Sequence, residues 1–190
     1  GLRLRNNRNL TALPPLEGLS QLKFLELQGN KNLTGLSGLN GLSALEDLLI
    51  GGTKITDLQP LQASRNLKRL SLCYCYDLTD LSPLAGLVKL QDLNLEWTRI
   101  SDISPLRNMR KLKYLNLSQT AIDDLSPLTN LQQLRQLELE DLENLTDLPP
   151  LHDLDQLKSL NLHLCENLTD INGLHGLSAL EYLDLSSTEI

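Results

Sequence analysis

The residues able to do chemistry recur in this chain at a nearly fixed interval. Aspartate stands at Asp57, Asp80, Asp102, Asp124, Asp147 and Asp170, always 22 or 23 residues from the next. Carboxylates brought into register at roughly 5 Å could share a calcium ion. An Asp at the start of each of a series of turns has a simpler use, accepting hydrogen bonds from the free N–H groups there. The Gly- and Asp-rich nonapeptide of calcium-binding solenoids is absent, so no metal site is expected.

Nucleophilic chemistry would need a thiol or hydroxyl beside a base. Cys73 and His163 share a column of the repeat but lie four units apart, roughly 19 Å at about 4.8 Å per strand. The same separation forbids a Cys75–Cys165 disulfide, and a Cys73–Cys75 bond would be strained. Three cysteines (Cys73, Cys75, Cys165) form no spaced framework, which points to reduced thiols and a cytosolic setting, bacterial or that of a host, rather than a cell surface. His152 and His175 lack zinc-ligand spacing, and Gly51-Gly52 is an isolated pair rather than a phosphate loop. No catalytic residue and no cofactor is expected.

These residues are positioned by a repeat. Taking the leucine that opens L-x-x-L-x-L as the start, units begin at Leu22, Leu45, Leu67, Leu90, Leu112, Leu134, Leu157 and Leu180, with partial units at both ends. The chain reads as one repeat domain over residues 1–190. Neither end carries a recognisable cap, so an excised portion of a longer protein is expected, or one whose terminal units lie exposed or pair with neighbours. Within a unit, segments such as Tyr114 to Ser118 alternate polar and apolar residues, the pattern of a strand with one buried face. Leu78, Leu81, Leu84, Leu87 and Leu90 then recur every third position, which suits three-residue turns.

Interval length follows a local code. Units with Thr at the sixth place (Thr53, Thr98, Thr120) are shorter by one residue than those with Asn30, Cys75 or Cys165 there. In the longer units the extra residue is Asn32, Asp77 or Asn167, a type that tolerates a left-handed turn. Leu142 interrupts this column. Ser82-Pro83, Ser104-Pro105 and Ser126-Pro127 suggest an N-cap followed by proline. Three residues after the proline column, Gly18, Gly41, Gly86, Gly176, Asn108, Asn130 and Asp153 stand where a reversal with positive φ is expected.

The pattern L-x-x-L-x-L-x-x-N/T/C-x-L/I-x-D-L-S-P-L-x-x-L-x-x-L resembles the leucine-rich-repeat family. The 22-residue length and the segment Ile100 to Leu106 are most similar to bacterial internalins and the regulatory subunits of type-one protein phosphatase. The resemblance implies an α/β right-handed horseshoe, with a parallel sheet on the concave face and short 3-10 turns on the convex face. It also implies that Asn30, Thr53, Cys75, Thr98, Thr120 and Cys165 point inward as a hydrogen-bonded ladder. Members bind unrelated proteins, so fold alone fixes no partner.

If strand leucines point inward, five of the six aromatics (Phe24, Tyr74, Trp97, Tyr114, Tyr182) fall in outward columns and Tyr76 does not. A leucine core has no need of them there, and aromatics are common anchors of interfaces; stacking on neighbouring strands is the plainer use. The candidate site is therefore Tyr74, Trp97 and Tyr114 with Arg69, Asp92 and Glu96, flanked by Phe24, Tyr182 and the acidic Glu138 and Glu140. The expected function is non-catalytic recognition of a protein or peptide on the concave face. The alternatives are the targeting arm of a multidomain enzyme or bacterial effector, a surface adhesin, and an architectural spacer. A net charge of −7 favours a basic partner and argues against nucleic acid and anionic membranes; no apolar run nears the roughly 20 residues of a membrane helix. Asn-x-Ser/Thr occurs at Asn9, Asn32, Asn116, Asn144 and Asn167, which the repeat itself explains at four of the five.

Overall fold

The computed structural model describes residues 1–190. Nine short strands follow one another: β1 (Leu2–Arg3), β2 (Phe24–Glu26), β3 (Asp47–Leu49), β4 (Arg69–Ser71), β5 (Asp92–Asn94), β6 (Tyr114–Asn116), β7 (Gln136–Glu138), β8 (Ser159–Asn161) and β9 (Tyr182–Asp184). They pair in parallel and in chain order, so the sheet is open and unit follows unit as an α/β leucine-rich-repeat solenoid. From β2 onward, each strand begins two residues after the unit start read from the sequence. Register keeps every column straight: Asp92 faces Tyr114, Leu93 faces Leu115, and Asn94 faces Asn116.

The period of three on the far side becomes 3-10 turns at Ser37–Leu39, Gln59–Ala63, Ser82–Leu84, Ser104–Leu106, Ser126–Asn130 and Asn172–Leu174. Between sheet and turns lies one continuous cluster of leucines and isoleucines, most with no exposed surface. Leu142, which interrupts the polar column, is fully buried in it. No helix is long and apolar enough to cross a membrane.

Three local expectations are corrected. The serines before proline are not N-caps: residues 81, 103 and 125 hold that place, with no side-chain cap bond. The aspartate column caps instead. Asp80, Asp102 and Asp124 each accept the backbone N–H of the following Ser through Oδ1, at 2.7–2.8 Å, and its hydroxyl through Oδ2, at 2.9 Å. Asp57 and Asp170 accept the N–H of Gln59 and Asn172 in the same way. The carboxylates are thereby spent on their own turns.

The extra residue of the longer units is not left-handed. Asn32, Asn144 and Asn167 use their side-chain amides to donate to the carbonyls of Arg8, Ala121 and Glu143 in the preceding unit. The left-handed reversal lies at the sheet's C-terminal rim. Asn6, Gly29, Gly52, Tyr74, Trp97, Gln119, Asp141, Leu164 and Ser187 all have φ between 54° and 74°, whereas only Gly41 and Gly176 of the seven convex candidates are positive. The cause is in the hydrogen bonds. Each rim N–H continues the sheet ladder, as from Tyr74 to Glu96 O and from Trp97 to Ser118 O, after which the chain must drop at once toward the convex side. One left-handed residue makes that change of direction.

The inward polar column divides by type. Thr53, Thr98 and Thr120 donate to carbonyls of their own strands, Ile50, Leu95 and Leu117, at 2.6–2.9 Å. Asn30 reaches both its own Leu27 O and the preceding unit's Leu4 O at 2.6 Å, and Cys75 and Cys165 reach back to Ile50 O and Leu139 O. The Asn and Cys rungs thus tie units together, and Thr53 Oγ1 also lies 3.4 Å from Cys75 Sγ of the next unit.

Two units lack a 3-10 turn, and each carries Pro-Pro. Pro149 stands two residues after Asp147, in the place whose N–H bonds the aspartate in the regular units, and proline has none to offer. Asp147 instead forms an isolated parallel bridge with Asp170, as Ala12 does with Gly35. The straightened chain presses on the unit above, where Gly173 and Gly38 sit. A Cβ at Gly173 would strike the carbonyl oxygens of Pro149 and Leu148, and one at Gly38 those of Pro14 and Leu13. Gly38→Ala and Gly173→Ala should therefore each lose about 1–3 kcal/mol in chemical denaturation. Gly86→Ala, with nothing within 4 Å of its added carbon, should change stability by less than about 0.5 kcal/mol.

Candidate functional site

The structure places the ten candidate residues on two adjoining surfaces. The first is the concave sheet. Arg69 on β4 grips Asp47 on β3 with two hydrogen bonds, Nε to Oδ1 at 2.7 Å and Nη2 to Oδ2 at 2.8 Å. Asp92 on β5 lies on the other side of Arg69 and is half-buried; burial raises its carboxyl above the usual range, opposed by the charges of Arg69 and Lys113. Next comes half-buried Tyr114 on β6, whose phenol burial likewise pushes up. Arg69, Asp92 and Tyr114 line a shallow depression with Leu49, Ser71 and Asn94. Leu49 is the apolar floor there, the one leucine of the outward strand columns.

Toward the N-terminus, Phe24 is covered by the Arg3 guanidinium, 4.9 Å from the ring centroid. Beside it Glu26 is 5% exposed although its column faces outward. Its carboxylate holds Arg3 at 3.2 Å and Arg5 at 3.1 Å, which compensates the burial. Glu26 was not among the sequence candidates; two arginines in the neighbouring unit's outward columns were the available sign. Toward the C-terminus, Glu138 and Glu140 are half-buried, and neither takes part in an ion pair. Asn161 Nδ2 donates to Glu140 at 3.4 Å. Tyr182 is exposed on the last strand and donates to Asp184 at 3.1 Å, away from the central group.

The second surface is the rim. Tyr74 and Trp97 stack across adjacent units, with centroids 6.5 Å apart and planes 21° from parallel. Tyr76 meets both edge-on, at 6.2 and 6.3 Å, so the aromatic missing from the sequence candidates completes the cluster. Tyr76 lies outside the outward strand columns, yet Cys75 points inward and leaves the residues on both sides of it exposed. The three rings remain 40%, 54% and 41% exposed for Tyr74, Tyr76 and Trp97, so mutual stacking does not hide them. Glu96 accepts from the Tyr74 hydroxyl at 3.4 Å, and its charge raises that phenol. Tyr114 belongs to the concave depression and not to this cluster.

The rim aromatics carry a backbone cost. Their column is left-handed in every unit, and Gly29 and Gly52 fill it without strain. Bulky residues there are outliers that the fold tolerates but does not require. The three cysteines are free, and burial raises all three thiols, which makes them poor nucleophiles.

Comparison with known proteins agrees with this geometry. A family model described as the leucine-rich-repeat domain of endo-β-N-acetylglucosaminidase EndoS matches residues 108–190, and a two-copy leucine-rich-repeat model matches residues 65–108. Among solved structures, internalin C2 of Listeria monocytogenes is 31% identical with a TM-score of 0.88, covering 95% of this chain and 78% of that one. Internalin InlF of the same organism is also 31% identical, with a TM-score of 0.67, and there the alignment covers 92% of this chain and 64% of the other. The leucine-rich-repeat domain of the type III effector XopL is 26% identical with a TM-score of 0.74, covering 96% and 75%. No curated protein matches in sequence. The fold and its sheet face define a repeat solenoid of the kind used for protein interaction. The chain belongs to the leucine-rich-repeat family and resembles the bacterial internalins.

The strain at the rim has a measurable consequence. Trp97→Gly should be more stable than Trp97→Ala by about 1 kcal/mol in chemical denaturation, because glycine alone relieves the left-handed backbone. The reverse order, usual for strands, would mean that position 97 is unstrained.

Proposed function

We propose that this chain is a non-catalytic recognition module that binds a protein or peptide across its concave face, centred on Arg69, Asp92 and Tyr114. The observation that carries this reading is the half-buried Tyr114 beside the Leu49 floor and a fixed Arg69–Asp47 pair, an apolar anchor within polar groups already held in place. Anchors of this kind, presented by a rigid frame, lose little freedom on binding. Glu138 and Glu140, free of internal cations, extend the face toward β7 and suit a Lys or Arg on the ligand, which would orient it and speed its approach.

A second reading has its own support: the match of residues 108–190 to the repeat domain of an endoglycosidase, and the likeness to the repeat domain of an effector. Here the same face acts as the targeting arm of a larger enzyme whose chemistry lies in other residues. Both readings place recognition on this face.

Panning a random peptide library against the purified chain tests it. Selected peptides should combine a basic with a large apolar residue and bind Tyr114→Ala at least about tenfold more weakly than the parent. Glu138→Gln with Glu140→Gln should mainly slow association. Peptides indifferent to position 114 would move the site off the concave face.

A further inference from the structure

The residue after each inward rung forms a column along the C-terminal rim: Arg8, Lys31, Lys54, Tyr76, Arg99, Ala121, Glu143, Glu166 and Glu189. All but Ala121 are exposed. The charge runs from basic to acidic along the stack, and none of Arg8, Lys31, Lys54, Glu143, Glu166 or Glu189 is in an ion pair within the chain. Like charges thus neighbour one another at each end with no internal compensation, an arrangement that is unfavourable in an isolated sheet.

We infer that this rim pairs with the same rim of a second copy, laid antiparallel about a two-fold axis through the unit of Trp97 and Arg99. A two-fold axis there sends each unit to its mirror position in the stack. Arg8 then faces Glu189 of the partner copy, Lys31 faces Glu166, Lys54 faces Glu143, and Tyr76 faces the small Ala121. Every charged pair off the axis is of opposite sign. At the axis Arg99 meets its own copy, with Asp77 3.9 Å away to offset the charge.

In the left-handed column beside it, the two glycines fall opposite larger residues and the aromatics meet near the axis. Gly29 falls opposite Leu164, Gly52 opposite Asp141, Tyr74 opposite Gln119, and Trp97 opposite Trp97. Two depressions meet across the same axis. One, of about 420 Å³, is lined by Lys31, Lys54, Gly52, Thr53, Tyr74 and Tyr76; the other, of about 550 Å³, by Asp141, Glu143, Asn144, Leu164, Glu166 and Asn167. The strained aromatics then have a use, as the apolar centre of an interface whose charged flanks set direction and register. These nine units span roughly 38 Å of rim at about 4.8 Å per unit. A contact about 20 Å wide along it would bury the roughly 800 Å² a side of a standard interface.

This inference is independent of the concave ligand, and its test avoids the concave residues. Analytical ultracentrifugation of the 190-residue chain at low salt should show a dimer that weakens as salt rises. Lys31→Glu with Lys54→Glu should raise the dissociation constant at least about tenfold, and so should Glu143→Lys with Glu166→Lys. The decisive arm combines them: an equimolar mixture of the two double variants should dimerise again, and so should the chain carrying all four reversals, circular dichroism confirming that each is folded. Trp97→Ala with Tyr76→Ala should weaken the dimer without changing its salt slope. A monomeric parent, a dimer indifferent to either reversal, or a mixture that stays monomeric would each overturn the inference, and none would bear on peptide binding at Tyr114.

Discussion

No unit of this chain can satisfy its own backbone. A three-residue strand has no hydrogen-bonding partner within its own 22 or 23 residues, so the N–H and C=O groups of the interior strands are met by the units on either side. Hydrogen bonding between successive strands at about 4.8 Å is therefore the constraint on which the rest depends. It puts one leucine layer directly on the next and turns sequence columns into straight lines in space. It also makes stability nearly a sum over neighbouring units. Side chains that cross from unit to unit reinforce the stack where the units are longer: Asn30 to Leu4 O, Cys165 to Leu139 O, and the Asn32 and Asn167 amides to Arg8 O and Glu143 O.

The same constraint explains why irregular units come in pairs. A prolyl pair removes the donor that would start a turn, the chain straightens, and the neighbour must yield space. Pro14-Pro15 is followed by Gly38, and Pro149-Pro150 by Gly173. Glycine at these places answers a close approach from below rather than a need for unusual dihedrals, since neither has a positive φ. At the rim the opposite holds. There the dihedral is imposed on every unit, and the side chain is what varies.

Much of this was legible in the sequence. The repeat length fixed strand positions, the period of three fixed 3-10 turns, and the resemblance fixed the parallel sheet. What was misread shares one cause: a column of recurring residues reports a recurring environment but not which atom uses it. The Asp and Ser before each proline both recur, and only geometry shows that Asp80 Oδ1 and Oδ2 do the capping while Ser82 is capped. On the convex side, Gly, Asn and Asp recur at one place and advertise a positive φ that only Gly41 and Gly176 adopt. At the rim, Tyr, Trp, Gln, Asp, Leu and Ser conceal it, because the ladder bonds of the neighbouring unit outweigh the local preference. Of the candidate residues, the sequence columns place Arg69, Asp92 and Tyr114 on the outward face of the sheet, whereas Tyr74 and Trp97 lie on the rim beside Tyr76.

Separating those surfaces changes what the aromatics imply. Toward the N-terminal half of the concave face the charged groups are already paired, Arg69 with Asp47 and Glu26 with Arg3 and Arg5, and only toward β7 do Glu138 and Glu140 lack a cation. At the rim the aromatics stack but stay exposed, the charges at both ends are unpaired, and the backbone beneath Tyr74 and Trp97 is strained. A surface that has settled its own interactions suits a partner read by shape and a few polar contacts. One that leaves rings, charges and strain unresolved is completed by contact, and the antisymmetric order of its charges, basic at one end and acidic at the other, fits a copy of itself laid antiparallel. Stacking makes both possible, since a solenoid offers its sheet and its edge independently, and occupation of one leaves the other open.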